Sequence, residues 1–467
     1  MNKASLTEGI TLDILSKTKG EQKARVINTQ NDVMVGKQVI VIGGGSYRSW
    51  SKWPGAASYG IKVILVDIED NHPSRDIVHC YIRYDFSHHT MDHAHACKII
   101  QLIQDQGIVA DGCVTFYDEC TPLTALICDQ LGLKGMSYKA AMIANSKTET
   151  HHILGLYVDK YQTKTFSTKS YHLTKEEDCK LLPHSFKFPA ILKLDNGASA
   201  IGTCIVESRA AMKSKFQQIT STLRNDSDFQ GIGLCFGNSL TTMEFHCGTE
   251  HIIDLIVYDG KLICAFISDS GVVRRPYFIA TARRIPTFLC AEQQTMLIDA
   301  AFRCCLAIGL KDGTFNLDMM LTDYGPKVLE INTRTGGYVL TSWLKKLYGV
   351  DIMLYSMMIA CSIKPKVPDL CANKMMMGVM LIPSLHSHLQ TDDHFKSKLC
   401  KMIEDEEVIF LQFRKVLKVY GPYERPFGNI GVSGSSSTET KRKLINVCKV
   451  LAIHQDEYNV EKFIENF

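Results

Sequence analysis

From Lys37 the chain alternates short apolar runs with amphipathic stretches. KQVIVI (37–42), IKVILVD (61–67) and DGCVTFYDE (111–119) have the apolar content of buried parallel strands, and HACKIIQLIQDQ (95–106) repeats as a helix. A second helix starts at Thr121, with Pro122 in its first turn and Gly132 near its end. This rhythm predicts a Rossmann-like parallel α/β domain over 37–145, after a polar extension, 1–36.

Beyond Ser146 the rhythm changes. KTFSTKSYHL, FPAILKLD and TCIVES read as strands, TKEEDCKLL and RAAMKSKFQQITSTL as helices, which gives a small α+β module over about 160–240. HIIDLIVYDGKLICAFISD is a hairpin turning at Asp259-Gly260, and FNLDMMLTDYGPKVLEIN is a second one turning near Asp323–Pro326. A helix is expected over 292–310 and two more up to Ile363, closing a region 146–365. Residues 366–467 read as a C-terminal α+β subdomain, with GVSGSSSTET (431–440) as a flexible segment.

Composition narrows the classes. The 467 residues carry a net charge of only +3 and no basic stripe, so nucleic acid is not an expected partner. The longest apolar runs, such as MLYSMMIACSI from Met353, are too short to span a membrane, and the first 22 residues lack a secretory signal's apolar stretch. The 17 cysteines follow no repeated spacing, which fits reduced thiols and a cytoplasmic location.

The richest chemistry lies in NLDMMLTDYGPKVLEINTRTGG (316–337). Strand alternation puts Asp318 on one face and Glu330 and Asn332 on one face of the next strand, nearly opposite it. Two carboxylates and an amide suit Mg²⁺ or Mn²⁺, and Arg334 would follow on the same face as a fixed cation for a phosphoryl or acyl oxygen. In AILKLDNGASAIG (190–202), Lys193 stands in an apolar strand before a small-residue loop whose amides can approach phosphate.

Together these pieces resemble the ATP-grasp superfamily of carboxylate–amine ligases: a strand lysine, a small-residue lid loop, a hinge, and two acids twelve residues apart ending E-x-N-x-R, here EINTR. The resemblance implies the ATP-grasp fold and ATP with Mg²⁺. It assigns Lys147 (in ANSKTETHHIL), Lys193 and Ser199 to the phosphates, and Glu244, Phe245 and His246 (in TTMEFHCGTEH) to adenine. Glu250 goes to ribose, Asp318, Glu330 and Asn332 to the metal, and Arg334 to catalysis. CVTFYDECTPLTALICDQLGL, AFISDSGVVRRPYFIATARRIPT and LEINTRTGGYVLTSWLKKLYGVDI resemble the carnosine-synthase branch, which joins β-alanine to histidine. That implies small amino-acid substrates, with Arg274, Gly337 and Glu119 as substrate contacts, and a homodimer as in many such ligases. The chain departs from the pattern with Asp318 for a common Glu, Met243 and Thr333 in the motifs, and no acid near Ala280, which leaves the substrate pair open.

Other signals compete. Gly43 and Gly45 suggest a dinucleotide turn, but Arg48 stands where its third glycine belongs; Ser46–Arg48 would instead face the cleft of such a ligase. A nicotinamide-dependent oxidoreductase and a non-catalytic ATP-binding regulator stand as the alternatives. His88, His89, His93, His95 and Cys97 cluster without a common zinc spacing. Asp118 and Glu119 read as a strand-end cap before Pro122.

Overall fold

The computed structural model describes residues 32–43, 53–161, 166–223, 234–275, 278–368, 370, 372–412 and 423–467. Its first sheet is parallel throughout and is built of β1 (Gln38–Ile42), β2 (Lys62–Asp67), β3 (Cys80–Arg83) and β4 (Gly112–Val114), in the order β3-β2-β1-β4. The apolar runs are continuous because both faces are covered. Val39, Val41, Val63 and Leu65 face a core shared with Trp343 and Leu344. Ile40, Ile42, Ile64 and Val66 face another, closed by the helices Asp92–Asp105 and Thr121–Leu131. The turn after β1 needs Gly43: its φ is +73°, and a Cβ there would sit 2.7 Å from Cys120 Sγ. Ser46–Arg48 lie outside the described residues.

The second sheet is antiparallel: β5 (Ser170–Leu173), β6 (Ala190–Leu194), β7 (Cys204–Val206) and β8 (Leu240–Glu244), in the order β5-β8-β6-β7. Leu192, Leu194 and Leu240 pack against Met212, Phe216 and Ile219 of the helix Arg209–Thr222, giving this small module a core of its own. Ser208 caps that helix by accepting from Ala211 N.

The main sheet takes β9 (Thr249–Tyr258) and β10 (Lys261–Ser270). The ribbon of β11 (Val273–Arg274) and β12 (Ile279–Ala280) then leads to β13 (Ala282–Ile285), β14 (Gly313–Thr322), β15 (Gly325–Asn332), β16 (Met375–Leu381), β17 (Ile409–Gln412) and β18 (Gly428–Gly434). The eight strands run β15-β14-β9-β10-β13-β16-β18-β17, so the sheet crosses residue 365 without a break. Asp259 and Gly260 turn β9 into β10 with φ of 49° and 67°, the left-handed pair that matches a hairpin's twist. One face, including Ile253, Leu255, Phe315 and Leu317, packs under the helix Ala291–Ile308. Ile252 and Ile256 on the other face meet the helices Tyr338–Tyr348 and Ile352–Ala360. Among the described residues no helix is long and apolar enough to cross a membrane.

The expected flexible segment GVSGSSSTET is ordered instead. It forms the end of β18, between β16 and β17, and then Ser436 caps the helix Ser437–Val450. Packing demands its glycines: a Cβ at Gly431 would approach the fully buried Trp343 indole to 2.8 Å, as one at Gly378 of the neighbouring β16 would to 2.9 Å, and a Cβ at Gly434 would collide with Thr440.

Candidate active site

The hairpin β14–β15 sets the frame. Its ladder pairs Asn316 with Asn332 and Asp318 with Glu330, placing all four on one face. The register slips between Asp318 and Met319, so Leu329 bulges. Its carbonyl accepts from Lys193 Nζ at 3.1 Å, which brings the lid-strand lysine to the edge of the hairpin. Phe166 O, in the segment before β5, accepts from Val328 N at 2.8 Å, so the outer side of β15 is covered there.

Charge is strongly arranged around this edge. Burial pushes the Asp318 carboxyl up to about 7, and the carboxylates of Glu330 and Glu250 add to the effect against Arg283 and Arg334. Burial and the neighbouring Lys147 bring Lys193 down to about 8, with Glu330, Asp318 and Asp195 opposing. Lys147 Nζ lies 3.2 Å from Glu330 Oε1 and donates to the carbonyls of Asp195 and Gly197. Crowded carboxylates with an adjacent amide are the donor set a hard divalent cation would relieve, and Asp318, Glu330 and Asn332 could hold it.

Among the described residues no three His, Cys, Asp or Glu groups converge on a metal position. The histidine cluster is used by the protein itself. His89 Nδ1 bonds Asp92 at 2.9 Å, His95 bonds the Tyr84 hydroxyl at 2.9 Å and the His88 carbonyl at 3.2 Å, and His93 stacks edge-on against Tyr138.

The segment at the end of β8 carries Glu244, Phe245 and His246. Glu244 N donates to Lys169 O at 3.1 Å, and His246 Nε2 bonds the Thr168 hydroxyl at 3.1 Å. Lys327 Nζ donates to Ser167 O at 3.1 Å; burial lowers its pKa while Glu244 holds it up. Glu250, at the start of β9, accepts from Ser270 Oγ at 3.1 Å, and Arg283 donates to the same serine. Ser199 lies in the small-residue loop with φ of 60° and accepts from Arg425 Nη2 at 3.1 Å.

Arg334 lies beyond the end of β15, in the turn before the helix Tyr338–Tyr348. Its Nη2 reaches Asp118 Oδ2 at 2.6 Å and its Nη1 the Thr335 carbonyl at 2.8 Å. Burial works against the charge, but Asp118, Glu330 and Asp318 raise the pKa overall. Asp118 thus differs from the capping expectation. Its carbonyl accepts from Thr121, while the helix N-cap is Cys120 without a side-chain bond, and the Asp118 carboxylate goes to Arg334. Glu119 is half-buried in the same loop. Gly337 is the exposed N-cap of the helix Tyr338–Tyr348, and Arg274 Nη1 reaches Glu424 Oε2 at 3.3 Å.

Several residues of the site escaped the sequence reading. Asp254 lies across from Asn316 in the β9–β14 ladder and accepts from Asn316 Nδ2 at 2.8 Å and Gly336 N at 3.1 Å; burial pushes its carboxyl up to about 6. Asn316 precedes Asp318 by two, so alternation alone could have found it. Asp195, just past β6, gathers Ser146, Thr148 and Thr241. Burial pushes its carboxyl up, but these hydrogen bonds outweigh it and hold the pKa down. His151 accepts from Thr168 N at 3.1 Å and bonds the Leu329 carbonyl; burial and Lys193 bring it down to about 3.

No family model matches the chain. Human carnosine synthase 1 is 35% identical over 442 residues, which cover 93% of this chain and 53% of that protein. The chain thus spans about half the length of this relative. Among solved structures, the L-amino acid ligase from Bacillus licheniformis superposes with a TM-score of 0.69 at 17% identity, over 89% of this chain and 98% of that one. N5-carboxyaminoimidazole synthetase from Staphylococcus aureus, solved with ADP, gives 0.66 at 14% identity over 89% and 98%. Likeness at these identities shows the fold, which is the ATP-grasp fold.

Proposed function

We propose, from the premise that this ATP-grasp chain is related along nearly its whole length to carnosine synthase, that it is an ADP-forming carboxylate–amine ligase joining two small amino acids. The observation that carries this reading is the single edge on which Asp318, Glu330, Lys193, Lys147 and Arg334 converge. In it, Lys147, Lys193 and the loop at Ser199 hold the phosphates of ATP, Glu244–His246 the adenine, and Glu250 the ribose hydroxyls. Mg²⁺ held by Asp318, Glu330 and Asn332 would supply charge neutralisation at the phosphates.

The substrate carboxylate, placed in line, attacks the γ-phosphorus, and ADP leaves as an acyl phosphate forms. Positioning and fixed charge accomplish this step. The amine of the second amino acid then attacks the acyl carbon, phosphate departs, and the Arg334 guanidinium stabilises the oxyanion that develops. Asp118 holds that guanidinium in the cleft until the substrate's own negative charge competes for it. Closure of the lid over the acyl phosphate excludes water from it. β-Alanine with histidine is the substrate pair suggested by the relative.

The test is an ADP-release screen over pairs of amino acids, with mass spectrometry of the products. Release that requires a particular pair, together with a mass equal to their sum less water, is the expected result. If no pair yields ADP and a condensed product, the ligase reading is lost.

A further inference from the structure

One row of side chains leads across the main sheet away from the acids. Arg283 of β13 pairs with Ser270 of β10, and Ser270 Oγ donates to Glu250 of β9. Glu250 pairs with Met320 on β14, and Ile252, two residues on, pairs with Asp318. Strand alternation therefore puts Arg283, Ser270, Glu250 and Asp318 on one face. The Arg283 guanidinium acts along this face, where its charge opposes the upward shift of the Asp318 carboxyl.

The cations around the site differ in what they hold. Arg334 is paired with Asp118, Lys147 with Glu330, and Arg274 with the buried Glu424. Lys193, from β6, reaches the Leu329 carbonyl. Arg283 is partly buried, yet among the described residues it has no carboxylate partner and donates only to the Ser270 hydroxyl. A guanidinium drawn partly out of water and set against a neutral oxygen leaves its planar fork unmatched. A carboxylate is the group that fits it.

Position decides which carboxylate. Lys147 and Lys193 stand on the β15 side of the acids, so the carboxylate that becomes an acyl phosphate must lie there with the nucleotide's phosphates. Strand β13 is three places from β14 in the other direction, roughly 14 Å at about 4.8 Å per strand. The amine-donating amino acid keeps its own carboxylate through the reaction and carries it into the product, so that charge needs a permanent partner away from the phosphates. Resting on the ligase reading above, we propose that Arg283 binds the carboxylate of the amine-donating amino acid. It thereby selects an amino acid over its neutral analogues, away from the bonds that change.

ADP release by the whole chain tests this, with MgATP and pairs drawn from β-alanine and the L-amino acids, each amine donor offered also as its C-terminal amide. An amide has no carboxylate to phosphorylate, so it can serve only as the amine donor. The wild-type chain should prefer the free acid by about tenfold or more in kcat/KM, as loss of a charge-assisted fork implies. Arg283→Gln, which keeps a donor for Ser270, should lose that factor for the acid and less than about threefold for the amide, with KM for ATP also within about threefold. Arg283→Lys keeps the charge without the fork and should restore part of the preference. Equal losses for acid and amide, an unchanged preference, or a loss confined to ATP binding overturns the proposal while leaving the ligase reading intact. A wild-type chain that releases no ADP with any pair overturns the ligase reading and this proposal with it.

Discussion

Gly336 is hemmed in by the groups that fix the turn after β15. A Cβ there would lie 2.7 Å from Asp254 Oδ1 and 2.9 Å from Asn316 Nδ2, while its own N–H donates to Asp254. Gly336→Ala should push the Arg334 turn away from the hairpin and lower kcat by on the order of 100-fold, with KM for ATP little changed, as steady-state kinetics would show. Arg334→Met goes further: ligation should vanish while nucleotide affinity stays within about threefold, and retained ligation would remove Arg334 from the chemistry. Asp118→Asn should lower kcat more mildly, because it loosens the guanidinium without removing it. At this scale Asp318, Glu330 and Asn332 were legible, since period-two alternation and a twelve-residue spacing are local properties. The Asp118–Arg334 and Ser199–Arg425 contacts were not. They span 216 and 226 positions and exist only once separate elements have packed.

Among elements, the helix Lys147–Tyr161 carries a latent response to acid. Its His151 is buried and neutral, with a pKa of about 3 against about 6.5 in an unfolded chain. As pH falls below 6.5 the unfolded state takes up a proton that the folded state refuses, so this group's contribution to stability declines until about pH 3. The slope is about 1.4 kcal/mol per pH unit. His151→Gln should flatten the acid limb of a denaturation-midpoint profile between about pH 6 and 4, and an unchanged slope would show that the histidine titrates freely. The Asp-Gly hairpin was readable because its two left-handed residues are encoded in the dipeptide itself. The strand Gly428–Gly434 was misread because its glycines look like loop composition. At Gly431 the cause is the Trp343 indole, which arrives from an element some ninety residues earlier in the chain, and at Gly434 it is Thr440.

For the whole molecule, the main sheet makes residues beyond 365 inseparable from those before it. Strand β13 pairs with β16 through Ala282–Val379 to Ile285–Met376, and Ile279 and Ala282 share a core with Leu444 and Tyr458. A chain cut after residue 368 should fail to give a soluble, cooperatively unfolding protein, as circular dichroism and sedimentation would show. Each fully buried aliphatic side chain is worth about 1.5–3 kcal/mol, and losing even several exceeds a typical total stability of about 5–15 kcal/mol. The order of α/β and α+β regions was legible from rhythm. The continuity of the sheet was not, because strand neighbours far apart in sequence leave no periodic trace.

The second strand of the hairpin that bears the acids, β15, is also an edge strand of the eight-stranded sheet. An exposed border of that kind invites pairing with another chain. Here Val328 N is taken by Phe166 O and the bulged Leu329 carbonyl by Lys193, both from segments that lead into or belong to the antiparallel β5–β8 module. In the ligase we propose, the groups that ready the site for phosphate therefore also seal a sticky seam, so opening the cleft to substrate and guarding the molecule against self-association would draw on the same few backbone atoms.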